Sequence, residues 1–379
     1  MDFWRQGVLA VAALISGVTL AATTATDGDW AAQNVTLSNT SEAAFMVRVG
    51  DIDNLGYGWP SNFDPFSGET TPVHAWPCTS GDADASGTDR IMVVSSYASN
   101  PPNGSDGYTS CTSRPANSPR PVILQWDKQA TGSINAATLQ IFVDDFQAPS
   151  WRASYQVLIN GVRIPTLERL INSLDQTGPV GKLITFQIPS EYLYLLNNGR
   201  LSLLFDDPVT GAGDGYAIDF VKLLINPKIS SAQTGTVSGK VLDSASGTAL
   251  KGAAVTVNGE VLALTDASGA YSVTTVSAGY AAVQVSRTGY ITAVKFVDVL
   301  ASKNSSLDFS LVVGQTPTSS ASNCVATLNN SASLLTIPCL DYLGVNDART
   351  PYWAEFEGFV ISGPLTFRLK NYGAGYKNP

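Results

Sequence analysis

The chain has 379 residues, 44% of them apolar and 14% charged, with a formal net charge of −9. That is enough apolar material for two or three cores, which excludes a disordered chain, and the negative charge without any basic run excludes a nucleic-acid partner. Aspartate supplies 24 of the 31 acids; its short side chain suits turns and metal loops whereas glutamate suits helices, so the acidity belongs to loops.

Residues 1–21 read as a secretory signal, with Arg5 ahead of the apolar run VLAVAALISGVTLA. The run is shorter than the roughly 20 residues a spanning helix needs, so the expectation is an exported protein, secreted or at the cell surface, with no membrane span in the mature chain. Four cysteines, Cys78, Cys111, Cys324 and Cys339, suit an oxidising compartment. Pairing Cys78 with Cys111 and Cys324 with Cys339 keeps each bridge inside one unit, and two other pairings remain open. The absence of any C-x-x-C spacing and a single histidine, His74, argue against zinc.

A polar lead over residues 23–41 precedes a strand at 43–49, AAFMVRV, which feeds an acid- and glycine-rich turn holding Asp51, Asp53, Asn54 and Asp64. Its D-x-D-N spacing resembles the opening of a calcium loop, but the twelfth position is Asn62 where an EF-hand needs glutamate, so an irregular site is expected. Residues 78–115 form a long loop-rich region carrying Asp82, Asp84, Asp89 and Asp106, with one strand expected at 91–97. Alternation and β-branched or aromatic enrichment then predict strands at 121–127, 136–146, 154–161, 182–188, 199–206 and 216–225. Short helices are expected at 165–174 and 190–196. Residues 43–226 therefore read as one antiparallel sandwich of jelly-roll type.

Asp144 and Asp145 end one of these strands, Asp206 and Asp207 end another, and Asp214 and Asp219 lie in the stretch LLFDDPVTGAGDGYAIDF. Ordinary turn chemistry accounts for any one Asp-Gly turn. Asp51, Asp53, Asp144, Asp145, Asp206, Asp207, Asp214 and Asp219 taken together would repel one another, and calcium, which takes six to eight oxygens, is the simplest remedy. Loop aromatics near this rim, Tyr57, Trp59, Trp76, Tyr108 and Trp151, could stack sugar rings or pin the loops to the sandwich.

Residues 227–236 read as a linker. Beyond them come Gly239, Val241 and Asp243, the run Gly252, Ala253, Val255, and a T-D-x-x-G-x-Y turn made by Thr265, Asp266, Gly269 and Tyr271. On these residues, 237–313 resemble the carboxypeptidase regulatory-like family. The resemblance implies a small transthyretin-like β-sandwich with a structural or accessory role. A second linker leads to residues 323–379, expected to be a small disulfide-stapled sheet with strands at 325–328 and 334–337.

The fold class expected is thus all-β, and the function expected is non-catalytic binding or adhesion, calcium-dependent, to an extracellular glycan or surface polymer. A self-associating subunit of an extracellular filament or surface layer is the alternative. Catalysis has little support: there is no G-x-S-x-G elbow, a triad would have to use His74, and a glycosidase pair such as Asp144 and Asp206 lacks the apolar setting that keeps a general acid protonated.

Overall fold

The computed structural model describes residues 25–73, 85–97, 119–177, 180–228, 233–258, 260–314, 327–329 and 334–336. The expected signal at 1–21, the four cysteines with their pairings, His74, Trp76, Tyr108, Asp82, Asp84, Asp106 and most of the expected C-terminal unit lie outside the described residues.

In chain order the strands are β1 (Asn34–Ser38), β2 (Ala43–Val49), β3 (Met92–Val93), β4 (Val122–Gln125), β5 (Ala137–Asp144), β6 (Gln156–Ile159), β7 (Val162–Arg163), β8 (Lys182–Gln187), β9 (Arg200–Asp206), β10 (Gly215–Pro227), β11 (Thr234–Asp243), β12 (Ala254–Val257), β13 (Glu260–Leu264), β14 (Ala270–Ser277), β15 (Gly279–Ser286), β16 (Ala293–Val299), β17 (Asn304–Ser306), β18 (Phe309–Leu311), β19 (Thr327–Asn329) and β20 (Leu334–Thr336). Three short helices, α1 (Lys128–Thr131), α2 (Ala148–Trp151) and α3 (Pro165–Ile171), and a 3-10 turn at Ser190–Leu196 connect them. The protein is mostly β.

The first sandwich sets the sheet β1-β2-β10-β5-β8 against the sheet β4-β9-β6-β7. Period-2 side chains from both meet in one core: Val47, Leu139, Ile141, Phe186 and Leu223 from the first, Val122, Val157, Leu201 and Phe205 from the second. Phe146, Tyr155, Phe205 and Tyr216 close one end as a cluster of edge-on and stacked rings. Each such ring contributes about 1.5–3 kcal/mol of burial. Along β5 every residue is buried, because the outer face is covered too. The loop 50–73 lays Trp59 and Phe66 over Phe142, Leu183 and Phe220 there. Nearby, Arg48 and Lys222, paired across β2 and β10, are buried against Asp27 and Glu42, with Arg48 Nε 3.1 Å and Lys222 Nζ 3.7 Å from Asp27 Oδ2.

Two expectations are corrected. The lead over 23–41 contains β1, whose Val35 and Leu37 alone of its five residues are half-buried, too weak a pattern to stand out. The segment 91–97 contributes only Met92 and Val93 to pairing, because the chain turns at Ser95, whose N–H donates to Asp206 Oδ1 at 2.8 Å.

The second sandwich pairs β11 with β14, β17 and β18, and β12 with β13 and β15, which also pairs β16. Val237, Val241, Val255, Val283, Val285 and Phe309 fill its core. Its T-D-x-x-G-x-Y turn is built as its residues dictate: Asp266 Oδ1 accepts from Ser268 N at 2.8 Å and Ala270 N at 2.9 Å, and Gly269 takes φ +74°. The two sandwiches are joined. Tyr280 on β15 pairs in parallel with Ile184 on β8, Lys182 Nζ lies 2.6 Å from Asp298 Oδ1, and Asn258 Nδ2 donates to Thr185 O at 3.1 Å. Farther on, β19 and β20 form an antiparallel pair.

Candidate metal centre

β2 leaves its sheet at Gly50, where φ is +88° and an added Cβ would sit 2.2 Å from Asp219 O. Only glycine lets the departing backbone press against β10 so closely. The loop then curls through four positive-φ residues, Asn54, Leu55, Gly56 and Gly58. Leu55 is out of place in that region on steric grounds; it is held there by burial against Ile91 and Ala217 and by donating its N–H to Asp219 Oδ1 at 2.9 Å. Asp53 Oδ1 accepts from Gly56 N at 2.7 Å, and Asn54 Nδ2 donates to Gly58 O at 3.0 Å.

Asp219 reaches this loop because β10 is irregular. Its register against β5 slips between Ile218 and Val221, a β-bulge that re-aims the side chains within it. A third segment arrives through Asp89, whose N–H donates to Ile218 O at 2.8 Å.

Ligand oxygens of Asp51, Asp53 and Asp89 lie within 4.8 Å of one another. The fully buried carboxyl of Asp219 adjoins them. Burial pushes it well above the usual carboxylate range; donation from Leu55 N works the other way, and the charge of Asp53 adds to the rise. Asp51 Oδ1, Asn54 Oδ1 and Asp219 Oδ2 are buried with no hydrogen-bond partner among the described residues. Among the described residues, no lysine or arginine lies within ion-pair distance of Asp51 or Asp219. The three grouped carboxylates, Asp51, Asp53 and Asp89, bring no nitrogen or sulfur donor and are of the kind a hard cation takes, with Asp219 and Asn54 bordering them. Asp89 and Asn54 stood outside the site expected from sequence. The signal that pointed to Asn54 was the D-x-D-N run itself, whereas nothing in the sequence around Asp89 sets it apart.

The other expected acids fall into two further groups. Asp144 Oδ1 accepts from Val180 N at 2.8 Å and Asp145 Oδ1 from Gln147 Nε2 at 3.1 Å. Asp214 Oδ2 accepts from Tyr155 OH at 2.9 Å and Gln147 N at 3.3 Å. Burial raises the phenol of Tyr57, and the charges of Asp144 and Asp145 raise it further, so Tyr57 stands between this group and its own loop. Asp206 and Asp207 do not join either cluster. Asp206 accepts from Ser95 N and from Ser95 Oγ at 2.6 Å. Asp207 accepts from Ser154 N at 2.8 Å, Val209 N at 3.0 Å and Thr210 N at 2.9 Å. Their oxygens are spent on backbone and hydroxyl donors, which makes them loop caps.

Of the expected aromatics, Trp59 is no open platform: its Nε1 donates to Ile52 O at 2.9 Å, and its ring stacks on Phe63 and meets Phe142 edge-on. Tyr57 packs with Leu55, Ile91 and Ala217. Trp151 is exposed, on α2, with Nε1 bonded to Gln147 Oε1 at 2.8 Å.

Residues 236–312 match the family model of the carboxypeptidase regulatory-like domain, and this segment is such a domain. No curated protein matches the chain. Among solved structures, a 5-hydroxyisourate hydrolase of Klebsiella pneumoniae is 23% identical over 21% of this chain and 91% of its own, with a TM-score of 0.18. The major pilin subunit of Bacillus cereus is 11% identical over 51% of this chain and 63% of its own, TM-score 0.19. The minor pilin GBS52 of Streptococcus agalactiae is 14% identical over 60% and 98%, TM-score 0.20. The chain thus spans less than two thirds of the Bacillus cereus pilin.

Asp214 gives this region a pH signature. Burial raises its carboxyl to about 7, against donation from Tyr155 and Gln147. The folded state therefore holds a proton that the unfolded chain releases near pH 3.8, so this contribution to stability is complete below that value and lost as pH rises through about 7. Asp214→Asn keeps an oxygen for Tyr155 and removes the ionisation. Chemical unfolding in chelator across this window should show a flatter decline than wild type, by on the order of 2–4 kcal/mol; parallel curves would contradict the assignment.

Proposed function

We propose that the protein is a non-catalytic binding or adhesion protein, secreted or held at a cell surface, in which calcium fixes the loop face of the first sandwich and the ligand is a glycan. The observation that carries the calcium reading is the trio of buried, unbonded oxygens, Asp51 Oδ1, Asn54 Oδ1 and Asp219 Oδ2, beside Asp53 and Asp89. Leaving such groups without a partner costs about 1–3 kcal/mol each, and a divalent ion held by Asp51, Asp53 and Asp89 would lower that cost at the oxygens it reaches. Export is supported by the character of residues 1–21. The non-catalytic reading is supported by how the acids that could have served a glycosidase are used: Asp144 Oδ1 accepts from Val180 N and Asp206 Oδ1 from Ser95 N, so both hold loops in place.

Calcium binding only to the folded state stabilises by mass action, about 2.7 kcal/mol at a hundredfold excess over Kd, or about 5–10 °C in Tm. The wild-type Tm should rise with calcium and fall with chelator, Asp219→Asn should lose that response, and Asp243→Asn, which alters a turn cap in the second sandwich, should retain it. An identical Tm in calcium and in chelator would remove the calcium reading.

One observation favours the second reading, self-association. β1 and β13 are the two outer strands of the sheet that runs across both sandwiches, and β13 presents Leu262 and Leu264 at 41% and 65% exposure. An unpaired edge bearing apolar side chains is a template for another copy. Under this reading, sedimentation velocity at micromolar concentration shows polymers that Leu264→Lys disperses; uniform monomers would leave binding alone.

A further inference from the structure

The outer face of the first sheet becomes polar where the second sandwich stands over it. On β5, Leu139 and Ile141 enter the core, so Thr138 and Gln140 point the other way. Register places Thr138 opposite Gln187 and Gln140 opposite Thr185, two rungs of amide and hydroxyl. On a solvated sheet such residues need no explanation. Here Thr138, Gln140 and Thr185 are at most 8% exposed, because the start of β11, the end of β14 and the β12–β13 hairpin roof them.

Between floor and roof lies a cleft of about 350 Å³, with Thr275 and Ser277 on the upper side. Gln140 lines it, and its Oε1 is buried with no hydrogen-bond partner among the described residues. The two charged residues at the cleft are already matched: Glu42 by Lys222 and by Gln233 Nε2 at 2.6 Å, Lys228 by Asn39 Oδ1 at 2.9 Å and Thr40 O at 2.7 Å. What the cleft offers is therefore neutral hydrogen bonding from amides and hydroxyls, in the size range of small-molecule sites.

We infer that the cleft between the two sandwiches binds a neutral sugar, a mono- or disaccharide unit of a glycan, through Gln140, Thr138, Gln187, Thr275 and Ser277. Each sugar hydroxyl both donates and accepts, as these side chains require. The walls are set before binding: Asn258, on the roof, donates to Thr185 O on the floor, and Thr185 Oγ1 donates to Ala278 O at 2.5 Å. Preorganised walls lower the ordering cost of binding. The inference rests on the carbohydrate reading above and gives it a site away from the loop aromatics.

The test uses the full chain with maltose, cellobiose and N,N′-diacetylchitobiose as probes, measured by saturation-transfer NMR and calorimetry. At least one should bind, Gln140→Leu should weaken it tenfold or more, and Trp151→Ala should leave it unchanged. Thr275 and Ser277 are exposed, so Thr275→Val and Ser277→Ala, each expected to weaken binding severalfold, keep the test decisive should Gln140→Leu fail to fold. Binding that survives all three cleft variants but falls in Trp151→Ala overturns the cleft while the carbohydrate reading stands. Binding of none of the three sugars overturns both.

Discussion

The first sandwich depends on one buried carboxyl. Asp219 sits in the bulge of β10, fully enclosed, and it meets the loop after β2 through Leu55 and the loop before β3 through Asp89. A regular β10 would have kept its alternation and put either Asp219 or Phe220 on the wrong face. The bulge lets Ile218 and Val221 enter the core, Phe220 join Phe142 and Trp59 outside it, and Asp219 turn to the loops. An isolated ionised carboxylate in that position would be prohibitively costly. Either it keeps a proton or, as we propose, a cation neutralises it.

The same economy of position governs the rest of the site. Acids at the ends of β5 and β9 look alike in sequence, yet Asp207 is saturated by three backbone N–H groups while Asp51 Oδ1 has none. The joint between sandwiches adds a second consequence. By roofing a polar sheet face it turns ordinary solvated residues such as Gln140 into buried ones, and an enclosed amide oxygen demands a partner that water alone supplied before.

Much of the fold was legible because period-2 alternation is strong where one face is buried. β2 occupies the residues expected, and β8, β9 and β10 differ from expectation by one or two residues at their ends. The second sandwich was legible from Asp266, Gly269 and Tyr271, whose turn chemistry is local. The site was only half legible. Asp51, Asp53 and Asp219 could be named as candidate ligands because acids among glycines mark such loops, but Asp89 comes beside them through its N–H bond to Ile218 O, a contact that no spacing encodes. Asp206 and Asp207 read like the other acids in sequence, and their bonds to Ser95, Ser154, Val209 and Thr210 are visible only in the fold. Trp59 looked like a sugar platform because its loop is polar, whereas the apolar patch it must cover, Phe142 and Phe220, lies about 80 and 160 residues away in sequence.

The central claim is that a cation, not a proton, compensates the carboxylates around Asp219. Equilibrium dialysis of the full chain against calcium, with bound metal counted by mass spectrometry, tests it most directly. The account predicts at least one calcium per chain at neutral pH, with that equivalent lost in Asp51→Asn and Asp219→Asn and kept in Asp206→Asn. No bound calcium in the folded wild type, or a stoichiometry untouched by Asp219→Asn, would contradict it.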